Sequence, residues 1–182
     1  GLPHRLDRPV SGAIVFARNV RAARRISEQF EARSVEKVYW AIVSGLPTNT
    51  EGTWTDYLRK VEGESRTEVV DANHPEGKIA ILHYRLKQEL IRPKTSDSQM
   101  TAAPSPALPA ALLEIELETG RTHQIRAQAS AHQLPLVGDF LYGSTWKFGP
   151  DAADERMRLI GLHARRLAFD HPVTKERLQF TA

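Results

Sequence analysis

Apolar and polar positions alternate along the chain with two periods, and the changes of period divide it into elements. Gly12-Ala-Ile-Val-Phe-Ala17 is an unbroken apolar run behind a proline, the pattern of a short buried strand. Behind Asn19, Val20, Ala23, Ile26 and Phe30 recur at three- and four-residue steps. That spacing predicts a capped helix to about Arg33, with an apolar stripe on one side and Arg21, Arg24, Arg25 and Glu28 on the other surface. Lys37–Val43 is β-branched and aromatic and ends at Ser44-Gly45-Leu46-Pro47, a strand followed by a turn. On that strand Tyr39 shares a face with Lys37 and Ala41 and points away from Trp40. Shorter strands follow at Thr53–Leu58, Thr67–Val70 and Lys78–Leu86.

Beyond them the periodicity stops. Residues 92–110 are rich in Ser, Pro, Ala and Thr and read as an exposed, mobile loop. Clean alternation resumes at 111–118, where Leu113, Ile115 and Leu117 face a core and Glu114, Glu116 and Glu118 face water. Thr119-Gly120-Arg121-Thr122 supplies a turn and a cap for a helix from about His123 to Ala131. Pro135–Gly143 reads as a loop with glycine at both shoulders. A last segment, Ile160–Phe169, leads through Asp170-His171-Pro172 to a final strand around Arg177–Phe180. The sum is an α+β fold: a mixed, mostly antiparallel sheet with two flanking helices.

At 182 residues the chain has the length of one domain, and 41% apolar with 26% charged residues excludes wholesale disorder. There is no cysteine, which removes disulfides, thiolate metal sites and Cys nucleophiles. No apolar run approaches the roughly 18 residues of a membrane span, and a reducing, cytoplasmic setting is the expectation. The chain opens in dense sequence without Met, which reads as a fragment. Net charge is only +3, yet residues 1–40 hold eight basic and four acidic side chains, a local +4 that leaves −1 for the rest. Of the 25 basic residues 18 are Arg, whose planar fork suits phosphate oxygens. The basic face of the first helix fits either a solvated surface or a phosphate-contacting edge.

The seven His residues show neither His-x-His nor His-Glu-x-x-His spacing, so metal binding is not expected. Ser11-Gly12 lacks the first glycine of a nucleophile elbow, and no Gly-rich phosphate loop opens a helix. Two polar segments remain. In His4–Gly12, Asp7 stands between Arg5 and Arg8 on a loop feeding the first strand, either as a surface ion pair or as an acid kept charged for catalysis. In Thr119–Arg126, donors crowd the start of a helix, the pattern of an anion site.

At these residues the sequence resembles the RluA-type pseudouridine synthases of the RluA/RsuA group. The resemblance rests on His-Arg-Leu-Asp-x-x-x-Ser-Gly at 4–12, Lys-x-Tyr-x-Ala-x-Val at 37–43 and Thr-Gly-Arg-Thr-His-Gln-Ile-Arg at 119–126. It continues in Pro-Leu-x-Gly-Asp-x-x-Tyr-Gly at 135–143, Leu-His-Ala at 162–164 and His-Pro at 171–172. It implies a catalytic domain with a central RNA-binding cleft that isomerises uridine to pseudouridine in structured RNA, ribosomal or transfer, with neither cofactor nor metal. By the family pattern Asp7 is the catalytic carboxylate, attacking the ribose anomeric carbon or stabilising its cationic character. Arg126 pairs with it, and Tyr39 packs on the uracil with its hydroxyl available for proton transfer. Ile125 closes the other side of the base, Arg5 fills the space the extruded base leaves, and Arg121 and His123 lie near phosphate or ribose. Arg21, Arg24 and Arg25 then track the RNA backbone.

Departures from the pattern are Val10 in place of Thr, Ala127-Gln128 in place of Val-His, a longer 92–110 loop, and the expected absence both of the family's extension after Ala182 and of its strand before His4, the latter predicting an open sheet edge. An RNA-binding or RNA-folding protein with weak catalysis is the alternative on the same fold. A carboxylate-dependent glycosyl hydrolase would need a second acid beside Asp7.

Overall fold

The structure is a computed structural model in which residues 1–91, 109–154 and 157–182 are described. The strands are β1 (Ser11–Gly12), β2 (Glu36–Ser44), β3 (Glu51–Lys60), β4 (Thr67–Val70), β5 (Lys78–Ile91), β6 (Pro109–Leu117), β7 (Leu162–Asp170) and β8 (Arg177–Thr181). The sheet order is β1-β7-β2-β6-β5-β3-β4, with β8 also paired to β7. Every pairing is antiparallel except β1 with β7, which is parallel. The mixed, mostly antiparallel α+β architecture is the one the periodicity predicts. Central β2 places Lys37, Tyr39 and Ala41 on one face, where Tyr39 sits opposite Ile115 of β6 and Ala164 of β7. Ala41, Leu113 and Ile115 are fully buried there.

Helix α1 (Val20–Glu31) is capped by Asn19, whose side-chain oxygen accepts from the Ala22 N–H at 2.8 Å. Its inward stripe is Ala22, Ala23, Ile26 and Phe30; Val20 is 82% exposed, because the first turn begins before the helix reaches the sheet. Helix α2 (Gln124–Ala131) lies over the opposite half, in contact with β3 and β4. It is not capped by Thr122: His123 takes the N-cap in a left-handed conformation (φ 52°) with no side-chain bond to the helix.

Three other expectations change. The apolar run 12–17 forms a ladder only at its start. Past Gly12, Ala13, Val15 and Ala17 pack under α1, while Phe16 is 68% exposed and pairs with no strand. Within Pro135–Gly143, Phe140–Tyr142 form a single 3-10 turn. The proposed loop 92–110 lies outside the described residues except for Pro109 and Ala110, which begin β6 because they pair with Ile91 and Leu90.

Candidate active site

Four separate stretches meet on the inner face of β2. The loop ahead of β1 is held by Val10 N–H to the Asp7 carbonyl (3.0 Å), Val15 N–H to His4 Nε2 (3.1 Å) and Ala13 N–H to the Ala164 carbonyl (2.9 Å). These bonds turn Asp7 inward, its side chain 20% exposed. β2 contributes Tyr39 beside a bulge on β7: Val38 pairs with Arg166 and Tyr39 with Ala164, which leaves Arg165 as the extra residue of that strand. α2 contributes Arg126, and the loop after it contributes Asp139.

Arg126 is 6% exposed. Its Nε and one terminal nitrogen donate to the two oxygens of Asp139 at 2.7 and 2.8 Å, a bidentate pair, and the other terminal nitrogen lies 3.6 Å from the Asp7 carboxylate. Burial works against the guanidinium, but the Asp139 bonds and then the Asp139 and Asp7 charges hold its pKa above the ordinary value. The guanidinium also lies 4.8 Å from the centre of the Tyr142 ring. Asp139 is the residue that sequence reasoning missed. The signal was present, since it is the one charge in the apolar run Pro135–Tyr142.

His123 approaches Asp7 from the other side, Nε2 to carboxylate 3.6 Å, while its Nδ1 lies 2.9 Å from the Tyr142 hydroxyl. That hydroxyl already accepts the Thr67 N–H at 2.9 Å. The hydroxyl oxygen has room for a second donor, so it is the acceptor-only Asp7 carboxylate facing Nε2 that favours the imidazole proton there, with the Tyr142 proton on Nδ1. Burial is the main reason the His123 pKa lies below its ordinary value; Asp7 opposes the shift and Arg126 adds to it. The Tyr39 phenol is pushed up to about 12, first by burial and then by the Asp7 charge.

Asp7, Tyr39, His123 and Arg126 line a cavity of about 580 Å³, with Val10, Ile125 and Leu162 among its apolar walls, while Asp139 and Tyr142 stand behind them. Arg5 and Arg121 line it too. Arg121 is tethered, its Nε donating to the Ile79 carbonyl at 3.0 Å. The Arg121 and Gln124 backbone amides are bonded within the turn and so are not free to meet an anion. Arg21, Arg24 and Arg25 do not line the cavity: Arg24 pairs with Glu28 and Arg25 donates to the Pro172 carbonyl. Gln128, one of the two departures from Val-His, is fully buried and donates to Asp56 and to the Trp54 and Ala80 carbonyls, which ties α2 to the sheet.

The profile of the RNA pseudouridylate synthases matches residues 1–131. The chain belongs to that family. Curated relatives include ribosomal large subunit pseudouridine synthase D of Pseudomonas aeruginosa, 34% identical over 99% of this chain and 52% of the relative. The protein of that name in Vibrio cholerae is 35% identical over 100% of this chain and 52% of its own. An uncharacterized RNA pseudouridine synthase of Chloroflexus aurantiacus is 35% identical over 100% and 49%. The chain thus spans about half the length of the curated relatives it matches. In fold it is similar to human RNA pseudouridylate synthase domain containing 1, with a TM-score of 0.74 at 24% identity over 100% of this chain and 67% of that one. No helix among the described residues is long and apolar enough to cross a membrane.

Proposed function

We propose that residues 1–182 form a pseudouridine synthase catalytic domain that isomerises uridine to pseudouridine in RNA, with Asp7, Tyr39 and Arg126 as its catalytic residues. The observation that carries this reading is the approach of Arg126 to Asp7, 3.6 Å, inside a cavity of nucleoside size. Asp7 acts on the ribose anomeric carbon as the bond to uracil N1 breaks and its electron pair stays on the base. The base turns, its C5 bonds to the same carbon, the C5 proton leaves and N1 takes one up, so atoms and charge balance without a co-reactant.

Preorganisation supplies the rate in this scheme. Asp139 and the Tyr142 ring fix Arg126, and Arg126 with the His123 N–H fixes the carboxylate, so little rearranges as charge develops. Tyr39, its pKa near 12, stays a neutral proton donor on the base. Arg5, Arg121, His123 and Ile125 line the same cavity and are its RNA contacts. Asp139 is 1% exposed, engages Arg126 with both oxygens and does not line the cavity, which weighs against its serving as the second acid of a glycosyl hydrolase.

The relatives named for the ribosomal large subunit make large-subunit rRNA the substrate to try first, with tRNA as comparison. Incubation of the chain with each transcript, followed by nucleoside mass spectrometry, should give pseudouridine. Asp7→Asn should lower the yield at least about a thousandfold with an unchanged circular dichroism spectrum. Turnover retained in that variant refutes the assignment.

A further inference from the structure

The cavity continues past Tyr39 into an arm bounded by His4, Phe30, Arg33, Lys37 and the Thr119–Arg121 turn, and the isomerisation described above uses none of Lys37's charge. Lys37 is 8% exposed. Its ammonium has three protons to place, and its contact is the Thr119 carbonyl at 3.5 Å, the outer limit of a hydrogen bond. No carboxylate among the described residues pairs with it; Glu36, its neighbour on β2, points to the opposite face and binds Arg166. Its nearby charge is Arg33, another cation, which adds to the effect of burial in holding its pKa below the ordinary value. On the turn side the chain narrows to Gly120, where an added Cβ would stand 3.4 Å from the ammonium. A cation buried without a counter-ion is destabilising unless a ligand brings the missing acceptors.

We propose that Lys37 is the seat of an RNA backbone phosphate next to the reacting uridine, with Arg33 and Arg121 at the rim of the same arm. The inference rests on RNA being the substrate. Lys37 and Tyr39 stand two residues apart on one face of β2, a rise of about 7 Å, which matches the separation of a base from a flanking phosphate in an extruded nucleotide. The ammonium thereby acts as a point charge that fixes where along the strand the base enters, while Tyr39 and Asp7 act on the base and sugar. Apolar Phe30 and the neutral His4 ring, stacked at 4.7 Å, wall the arm and strengthen the attraction by excluding water.

The test uses a fluorescent hairpin RNA with a uridine-rich loop and binding measured by anisotropy between 50 and 200 mM KCl. In Lys37→Met, a near-isosteric change, the slope of log affinity against log salt should be shallower by about 0.7, so the variant's deficit shrinks about threefold over that range. Because the change also removes an unpaired buried charge, Tm without RNA should rise, by roughly 2–4 °C. An unchanged slope overturns the proposal, and so does a fall in Tm, which would make Lys37 a structural tie to Thr119. Should the variant fail to fold, the wild-type chain carrying 13C at lysine Cε decides: saturation with the hairpin should move the Lys37 titration upward, and a titration that stays in place overturns the seat. Pseudouridine yield is read from the same samples. A wild-type chain that makes none while Lys37→Met loses slope refutes the activity and keeps the seat; active wild type with unaltered slope refutes the seat alone.

Discussion

Arg126 carries a full charge into a site where 6% of its surface meets water, and Asp139 is what makes that tolerable. The motif around Arg126 and the one around Asp7 can be read in the sequence because each is a contiguous string. That Asp139 stands behind Arg126 cannot, since a bidentate pair depends on where two chain segments cross. The same holds for His123, whose part is set by Asp7 and by Tyr142, 19 positions on. Its tautomer yields a prediction with a definite sign. A histidine whose pKa in the folded chain lies below the ordinary 6.5 binds its proton more weakly folded than unfolded. Its contribution to stability is therefore complete above about pH 6.5 and erodes as pH falls toward the lowered value; His4, shifted the same way by burial and by Lys37, adds to that slope. Protonation of His123 also ends the acceptance of the Tyr142 proton and sets a second cation beside Arg126, so turnover should fall over the same acid range. Nitrogen-15 spectra at neutral pH should show His123 protonated on Nε2. Tyr142→Phe should weaken the hold on that tautomer and lower kcat about fivefold, the worth of roughly 1 kcal/mol of hydrogen bond, with little change in KM.

Among the elements, those set by local chemistry were legible and those set by distant partners were not. Asn19 caps α1 as its side chain alone predicts, and the alternation of β6 puts Leu113 and Ile115 in the core. The run 12–17 has the apolarity of a strand but keeps a ladder with β7 only at its start, where Gly12 pairs with Ala164 and the Ala13 N–H reaches the Ala164 carbonyl, because beyond them the chain passes beneath α1. α2 begins at a left-handed His123 because Gln124 turns its side chain back to Thr119, Arg121 and Ile81 and fixes the turn from within, a bond set no propensity encodes. The bulge beside Tyr39 was equally silent in the sequence. Gly12 is where the opening loop depends on β7. Its φ is +114°, and a Cβ there would stand 2.3 Å from the Ala164 carbonyl oxygen. Gly12→Ala should thus cost at least about 1–3 kcal/mol from the backbone strain alone and part the β1–β7 bridge. Hydrogen exchange at the Ala13 amide, bonded to that same carbonyl, should quicken, and turnover should fall with it because Asp7 rides on the loop so released. Normal exchange at Ala13 in the variant would mean that the bridge does not hold the loop.

For the whole molecule the question is how much of the packing serves stability and how much serves the site. Asp7 and Arg126, 119 positions apart in sequence, meet only because β2 has β7 on one side and β6 on the other, with the loops from both ends folded over the same face. The apolar residues around them form distinct clusters. One, centred on Ile26, Leu167 and Phe169, fastens α1 to β7; another, with Ile115, Ile125 and Leu162, runs beneath the sheet's inner face and ends as the cavity wall. Ile26 and Ile125 are nearly equally buried, 3% and 4% exposed, so burial alone assigns both the same importance. Position relative to Asp7 separates them. Ile26→Ala should cost about 2–5 kcal/mol in urea denaturation while kcat per folded molecule stays as in the parent, because α1 can settle against β7 without moving the inner face of β2. Ile125→Ala should cost a similar amount and also lower kcat about tenfold or more, since the space opened adjoins both the base site and Arg126, whose alignment with Asp7 depends on that wall. Equal losses of kcat in the two variants would show that the clusters respond as one body and that α1 takes part in aligning the acid; a loss confined to Ile125→Ala shows the sheet's two halves carrying separate duties.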